Sequence, residues 1–285
     1  MNYPRILTMQ DISCVGQCSL TVALPVISAC GAETCVLPSA VLSTHTAGFT
    51  GYTFRDLTDD IAGILRHWER ENIKFDAVYT GYLGSARQID YALEAARTLL
   101  RPHGVLIVDP AMADNGKMYP AFDLAFAAEM KKLVAAADYA LPNITEACFI
   151  TGSEYKTVYD ADYINGLADA VLNTGARNVV LTGVSYDDST TGVLTKGKEG
   201  EKYYRHEKIG NGCHGTGDIY ASAFTGALLK GAGAVRAASI AADFVVRCIK
   251  ATAADKDHFY GAEFEPQLGY LIKEVQTACD DKQIC

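Results

Sequence analysis

Positive charge is scarce in this chain. Twenty-five lysines and arginines stand against 34 aspartates and glutamates, for a net charge of −9 over 285 residues. A surface of that sign repels nucleic acid and anionic lipid, which excludes an extended footprint on a phosphate backbone or a membrane. A small phosphate site built from backbone N–H groups at a helix end stays open, because it needs little net charge. No apolar run reaches membrane-spanning length. The nine cysteines are odd in number and contain no Cys-x-x-Cys pair, so no disulfide framework is legible. Cys14, Cys18, Cys30 and Cys35 fall in apolar periodic segments and read as buried, reduced thiols of a cytoplasmic protein. Leu20–Ala32 is apolar and ends Ala-Cys-Gly-Ala like a signal peptide, but it lies behind a strand-like run and Asp11 with no basic leader, so secretion is not expected. His67, His103, His206 and His258 lack metal-ligand spacing and read as surface residues. Repeats, low-complexity tracts and Pro/Gly/Ser-rich linkers are absent, which leaves one domain over residues 1–285.

What the chain does have is alternation. Strand-like apolar runs at Arg5–Gln10, Thr34–Leu37, Asp76–Thr80, Gly104–Asp109, Asp138–Leu141 and Asn178–Thr182 alternate with helical patterns. The helices are expected over Gln17–Cys30 (kinked by Pro25), Leu57–Asn72, from Ser85 and over Phe122–Ala137, with three more starting near Gly215, Ala234 and Phe264. Thr191–Thr195 and Lys202–His206 read as a small hairpin. Pro38–Phe54 is too polar for a core element and too long for a plain connection, and reads as a functional loop. This pattern predicts an α/β fold, a mostly parallel sheet covered by helices on both faces. Ligands then bind beyond the carboxyl ends of the strands, at Gln10–Gly16, Ser43–Gly48, Gly81–Ser85, Asp109–Asp114, Asn143–Glu146 and Thr182–Ser185.

The sharpest motif is Gly210-Asn-Gly-Cys-His-Gly-Thr-Gly-Asp218, which runs straight into a helical pattern. Glycines let successive N–H groups face one concavity, and the helix end adds partial positive charge. Gly215, Thr216 and Gly217 thus form an anion cradle with Asp218 at its lip. By itself the motif reads equally well as a glycine-rich loop with an acid at a helix entry. Cys213 and His214 diverge as neighbours in a turn and read as loop residues. Asn143-Ile-Thr-Glu146 sets an amide and a carboxylate three residues apart at a helix start, which suits Mg²⁺ held largely through water. An N-cap Asn with Glu at N3 is the commoner origin of that pattern.

Taken together, several motifs in order resemble the pyridoxal kinase branch of the ribokinase-like superfamily: Ile6–Gly16, Leu42–Thr46 (Leu-Ser-Thr-His-Thr), Thr80–Ser85 (Thr-Gly-Tyr-Leu-Gly-Ser), Asp109-Pro-Ala-Met112, the Asn143…Glu146 pair and Gly215–Asp218. The resemblance implies a ribokinase-like three-layer α/β/α sandwich with a small hairpin edge, and ATP-dependent phosphorylation of the 5′-hydroxymethyl group of a B6 vitamer. It implies that Asp218 takes the proton of the attacking hydroxyl while Gly215, Thr216 and Gly217 hold the transferring phosphoryl group. Asn143, Glu146 and Asp109 organise Mg²⁺ and the phosphate tail. His45, Thr46 and Tyr82 line the pyridine pocket beside Asp11 and Val15, and Thr182 and Gly183 approach the nucleotide. ATP and Mg²⁺ are the implied cofactors, a monovalent cation such as K⁺ is left open, and a cytoplasmic homodimer is expected. The helix dipole is expected to hold the Asp218 pKa low, which suffices if the hydroxyl proton leaves late.

Two other classes weigh less. A dinucleotide oxidoreductase lacks its glycine fingerprint, since Gly16 has no companion glycines after the first strand. A non-catalytic sensor on the same fold does not need Asp218, Asn143 and Glu146 together. Within kinases, the alternative substrates are a hydroxymethylpyrimidine, a sugar or a nucleoside. Related kinases commonly carry a serine where this chain has Asp11. A carboxylate only accepts hydrogen bonds, so Asp11 either favours a substrate bearing a donor or positive charge, a protonated pyridine nitrogen or the 4′-ammonium of pyridoxamine, or turns away to cap the loop Ile12–Gly16.

Overall fold

The computed structural model describes residues 3–198, 200–210, 213–253, 255 and 258–283. In chain order the strands are β1 (Arg5–Ser13), β2 (Glu33–Leu42), β3 (Phe54–Asp56), β4 (Phe75–Thr80), β5 (Leu100–Val108), β6 (Ala113–Asp114), β7 (Lys117–Met118), β8 (Tyr139–Ala140), β9 (Val179–Val184), β10 (Thr190–Gly197) and β11 (Gly200–Glu207). The helices are α1 (Leu20–Ala29), α2 (Thr58–Arg70), α3 (Ala86–Leu99), α4 (Leu124–Ala136), α5 (Ile144–Thr151), α6 (Ala161–Leu172), α7 (Thr216–Leu229), α8 (Ala234–Thr252) and α9 (Leu268–Gln283).

Nine strands pair in the order β11-β10-β9-β8-β5-β4-β1-β2-β3. The six from β9 to β2 run parallel, and antiparallel strands close both edges. Alternation along the strands divides the core. Leu7, Met9, Val78 and Leu106 pack under the side carrying α2 to α6, while Ile6, Ala77, Tyr79 and Ile107 pack under α1, α7, α8 and α9. That is the expected three-layer sandwich. The chain goes from β1 to β2 on one side, then returns to place β4 on the other side of β1. The order therefore reverses beside β1, the place where open α/β sheets bind ligands.

Several sequence expectations change. β2 continues through Pro38 to Leu42, so the polar stretch is shorter than Pro38–Phe54. Pro38 is tolerated because only residues 40–42 pair with the edge strand β3. Helix α1 starts at Leu20 rather than Gln17, because Ser19 takes φ 54° and breaks the helical path; the helix then runs through Pro25. The hairpin β10–β11 extends beyond both predicted strands. A second hairpin, β6–β7, escaped the sequence reading altogether, although Asn115-Gly116, with φ 51° and 74°, is a standard two-residue hairpin turn. All eight described cysteines are free, but of the four expected to be buried only Cys30 is: Cys14 is exposed, since β1 ends one residue earlier, and Cys18 and Cys35 are half-buried. His258 is half-buried and bonded to Gln17, with Nε2 2.8 Å from Oε1, instead of lying on the surface. Among the described residues no helix is long and apolar enough to cross a membrane.

Candidate active site

Backbone hydrogen bonds tie the strand-end loops to one another. Val15 N–H donates to Ser43 O and His45 N–H to Val15 O; Gly81 N–H reaches Met9 O, Asp109 N–H reaches Thr80 O, and Thr182 N–H reaches Pro142 O. The six loops singled out from the sequence thus assemble along the carboxyl edge of the sheet.

The glycine-rich loop enters α7 at this edge; its residues 211 and 212 lie outside the described residues. Gly215 is the N-cap with φ 78°, and no side chain caps the helix. A Cβ on Gly215 would lie 1.8 Å from Gln17 O, so both the left-handed backbone and the close approach require glycine here. Thr216 Oγ1 donates to Cys213 O at 3.2 Å, which folds the loop back, and Gly217 is exposed. The first turn of α7 therefore keeps N–H groups for an outside anion. Asp218 follows, and the expectation of a low pKa is overturned. Burial pushes its carboxyl up to about 7, a hydrogen bond from the Ser19 backbone N–H pulls it down, and the charge of Asp11 raises it further. Desolvation is the largest of these causes, because an ionised carboxylate loses hydration on leaving water.

The start of α5 is finished differently. Asn143 Oδ1 accepts from Glu146 N–H at 2.9 Å, and Glu146 Oε2 accepts from Asn143 N–H at 2.9 Å, forming a closed capping box. Glu146 Oε1 also accepts from Met112 N–H at 3.1 Å, and Asn143 Nδ2 donates to Ala113 O at 2.8 Å. Both side chains are thus committed to pinning the loop that follows β5. Asn143 Oδ1 accepts one bond, from Glu146 N–H, so one of its two lone pairs is taken by the cap. Asp109, at the end of β5, is buried, and its pKa is raised well above the ordinary value by burial and by the charges of Glu146 and Asp218. Burial also lifts Glu146 to about 7, against three backbone N–H bonds that lower it. Three carboxyls crowd together, and no lysine or arginine forms an ion pair with them among the described residues. That donor set fits a hard divalent cation such as Mg²⁺.

On the other flank, His45 is buried, and its ring packs on Gly16, where a Cβ would fall 2.0 Å from Cδ2. Ala47 N–H donates to His45 Nδ1 at 3.2 Å, leaving Nε2 to donate to Tyr260 O at 2.8 Å. Both nitrogens are used, and burial lowers the His45 pKa, so His45 clamps two loops as a neutral ring. Thr46 and Val15 are exposed; Tyr82 is half-buried, its hydroxyl pushed up to about 12 chiefly by burial. The neighbouring Thr44 was missed from the sequence: its Oγ1 is buried with no hydrogen-bond partner, a signal that only the structure carries. Thr182 and the left-handed Gly183 line a cavity of about 400 Å³ together with Asn143, Tyr155, Tyr186 and Lys208. The missed hairpin β6–β7 forms its rim, held where Gly116 N–H donates to Thr145 Oγ1 at 3.0 Å. A larger cavity, about 560 Å³, lies between α3 and the starts of β5 and β8, away from these groups.

The model of the family described as phosphomethylpyrimidine kinase matches residues 24–262. A Bacteroides thetaiotaomicron protein described as a phosphomethylpyrimidine kinase and crystallised with pyridoxal superposes with a TM-score of 0.88 at 30% identity, covering 96% of both chains. The pyridoxal kinase of Lactobacillus plantarum gives a TM-score of 0.86 at 29% identity, covering 95% of this chain and 97% of that one. The pyridoxine/pyridoxal/pyridoxamine kinase of Bordetella avium is 28% identical over 265 residues, 87% of this chain and 85% of its own.

Proposed function

Because the chain belongs to the phosphomethylpyrimidine kinase family, we propose that it transfers the γ-phosphate of ATP to the 5′-hydroxymethyl group of a vitamin B6 vitamer. The observation that carries this reading is the uncapped first turn of α7 with Asp218 at its lip. Phosphoryl transfer needs positioning and charge stabilisation more than covalent chemistry. Backbone N–H groups at Gly215, Thr216 and Gly217 meet the transferring group, and Asp218 accepts the hydroxyl proton. A carboxyl near pH 7 is a stronger base than an exposed aspartate yet still partly ionised at neutral pH, which suits general-base work. Thr182 and Gly183 border the nucleotide, while Asp109 and Glu146 supply the negative charge that holds Mg²⁺; the ion neutralises phosphate charge when bound. Asn143 serves by keeping Glu146 in place. The protein works as a single kinase domain and as a homodimer. The free state of the eight described cysteines supports a cytoplasmic setting.

The B6 choice draws support from the pyridoxal seen in the Bacteroides relative and from the B6 kinases of Lactobacillus and Bordetella. The family description favours one second reading, a hydroxymethylpyrimidine substrate. ADP release measured over pyridoxal, pyridoxine, pyridoxamine, hydroxymethylpyrimidine, ribose and a nucleoside separates the two. The proposal expects the highest kcat/KM with a vitamer; a higher value with hydroxymethylpyrimidine or a sugar overturns it.

A further inference from the structure

The transfer proposed above gives Asp11 no part, yet Asp11 is held in a constrained position. It lies near the end of β1, beside which the strand order reverses, and at an irregularity in the β1–β2 ladder: Gln10 pairs with Pro38 but Ile12 with Val41. Irregularities of this kind re-aim a side chain and recur next to active sites. The residue is only 5% exposed. Ser13 Oγ donates to its Oδ2 at 3.0 Å, and the Ser19 hydroxyl also hydrogen-bonds the carboxylate. Ser19 thereby joins the two acids of the site, its hydroxyl to Asp11 and its backbone N–H to Asp218. It does so from φ 54° and ψ −129°, a conformation that costs a non-glycine residue free energy and persists only where its surroundings impose it.

The Asp11 charge reaches groups from three other loops: it helps to raise the pKa values of Tyr82 and Asp218, and at His45 it opposes the larger lowering by burial. No lysine or arginine forms an ion pair with it among the described residues, and His45 is held neutral. A buried carboxylate without a cation is costly to retain. Two hydroxyl donors fix its orientation without neutralising it, and a carboxylate has about four acceptor sites. Capping by Ser13 therefore does not exhaust it.

We propose that Asp11 is a specificity residue that pairs with a cationic donor on the substrate, and that it selects the vitamer bearing a 4′-ammonium, pyridoxamine, over the uncharged-substituent vitamers pyridoxine and pyridoxal. The inference rests on the B6 kinase reading above and deepens it. The three vitamers share the 5′-hydroxyl and the ring, so a ring nitrogen read by Asp11 would affect all three alike, whereas the 4′ substituent would not.

The test measures kcat/KM with each vitamer, and calorimetric binding of pyridoxamine and pyridoxine, for wild type, Asp11→Asn and Asp11→Ser near neutral pH. Wild type should prefer pyridoxamine. Both variants should lower the pyridoxamine-to-pyridoxine ratio by about 10- to 100-fold, the worth of a charge-assisted hydrogen bond. Equal losses with all three vitamers, or an unchanged ratio, overturn the proposal. If wild type turns over no vitamer, the functional reading fails, while the calorimetric ratio still decides the role of Asp11; absence of binding to both vitamers overturns the two together. Asp11→Asn keeps the side-chain shape, so a folded protein with an altered ratio separates charge reading from loss of structure.

Discussion

Two helices begin at the same edge of the sheet, and their first turns are finished in opposite ways. At α5, Asn143 and Glu146 close a reciprocal capping box, and Glu146 spends its second oxygen on Met112. At α7, a left-handed glycine stands at the N-cap and no side chain caps the turn. The first end is satisfied by its own chain and carries negative charge; the second keeps donors and positive dipole for something external. Two superficially similar helix starts therefore divide the labour. On the proposed reading, one builds the scaffold and the acidic wall, and the other would meet the phosphate.

Variants at the two ends should behave differently. The largest effect is expected from Asp218→Asn: kcat falls by about 10²- to 10⁴-fold, the usual scale for a general base, with ATP and vitamer affinity within a few-fold. Steady-state kinetics beside calorimetry check this, and near-wild-type turnover in a folded variant removes Asp218 from the role. Gly215→Ala comes next. Its Cβ has no room beside Gln17 O and its φ is unfavourable, so the cradle must shift, lowering kcat by up to about 100-fold and stability by about 1–3 kcal/mol. A variant with unchanged kinetics and Tm would show that the open turn is not used.

At the acidic wall, Asp109→Asn should raise the Mg²⁺ concentration for half-maximal rate by about tenfold or more. Glu146→Gln should raise it less, and should lower stability by about 1–2 kcal/mol, because a glutamine has one acceptor oxygen for the two backbone N–H groups of Asn143 and Met112. Mg²⁺ titrations and thermal melts of both variants give the ranking; the reverse order would make Glu146 the principal ligand. The smallest effect concerns pH. Asp218 and Glu146 both titrate near 7 in the fold, above their values of 3.8 and 4.5 in unstructured chain. Between about pH 4 and 7 the native state then binds more protons than the unfolded state, so their contribution to stability is present at low pH and lost as pH rises through that window. The Tm of the ligand-free protein should fall less steeply with pH in Asp218→Asn than in wild type.

Much of this division was visible in the sequence. Alternating runs gave the three layers and the ligand-binding edge, since a parallel sheet buried on both faces leaves few other arrangements. Gly215–Asp218 and Asn143…Glu146 stood out by spacing alone, and the structure brings both to one edge. What stayed hidden depends on contacts between residues distant in sequence. Nothing near Asp218 signals its raised pKa, because that arises from burial in the folded chain and from the charge of Asp11, brought close only by the fold. Likewise the commitment of both His45 nitrogens requires Tyr260, 215 residues further along. The capping box answers a question that spacing left open, and Ser19 had no legible signal at all. The hairpin at Asn115-Gly116 is different: its turn signal was present and went unread.

The central claim is that the open end of α7 performs the transfer while the capped end of α5 supports it. Single-turnover transfer of labelled γ-phosphate from ATP to a vitamer, with saturating Mg²⁺, tests this in wild type, Asp218→Asn and Glu146→Gln side by side. The account predicts that label reaches the 5′-oxygen in wild type, that Asp218→Asn nearly abolishes the transfer while still binding both substrates, and that Glu146→Gln recovers most of the wild-type rate below its melting transition. Transfer that survives in Asp218→Asn but is lost in Glu146→Gln would contradict it.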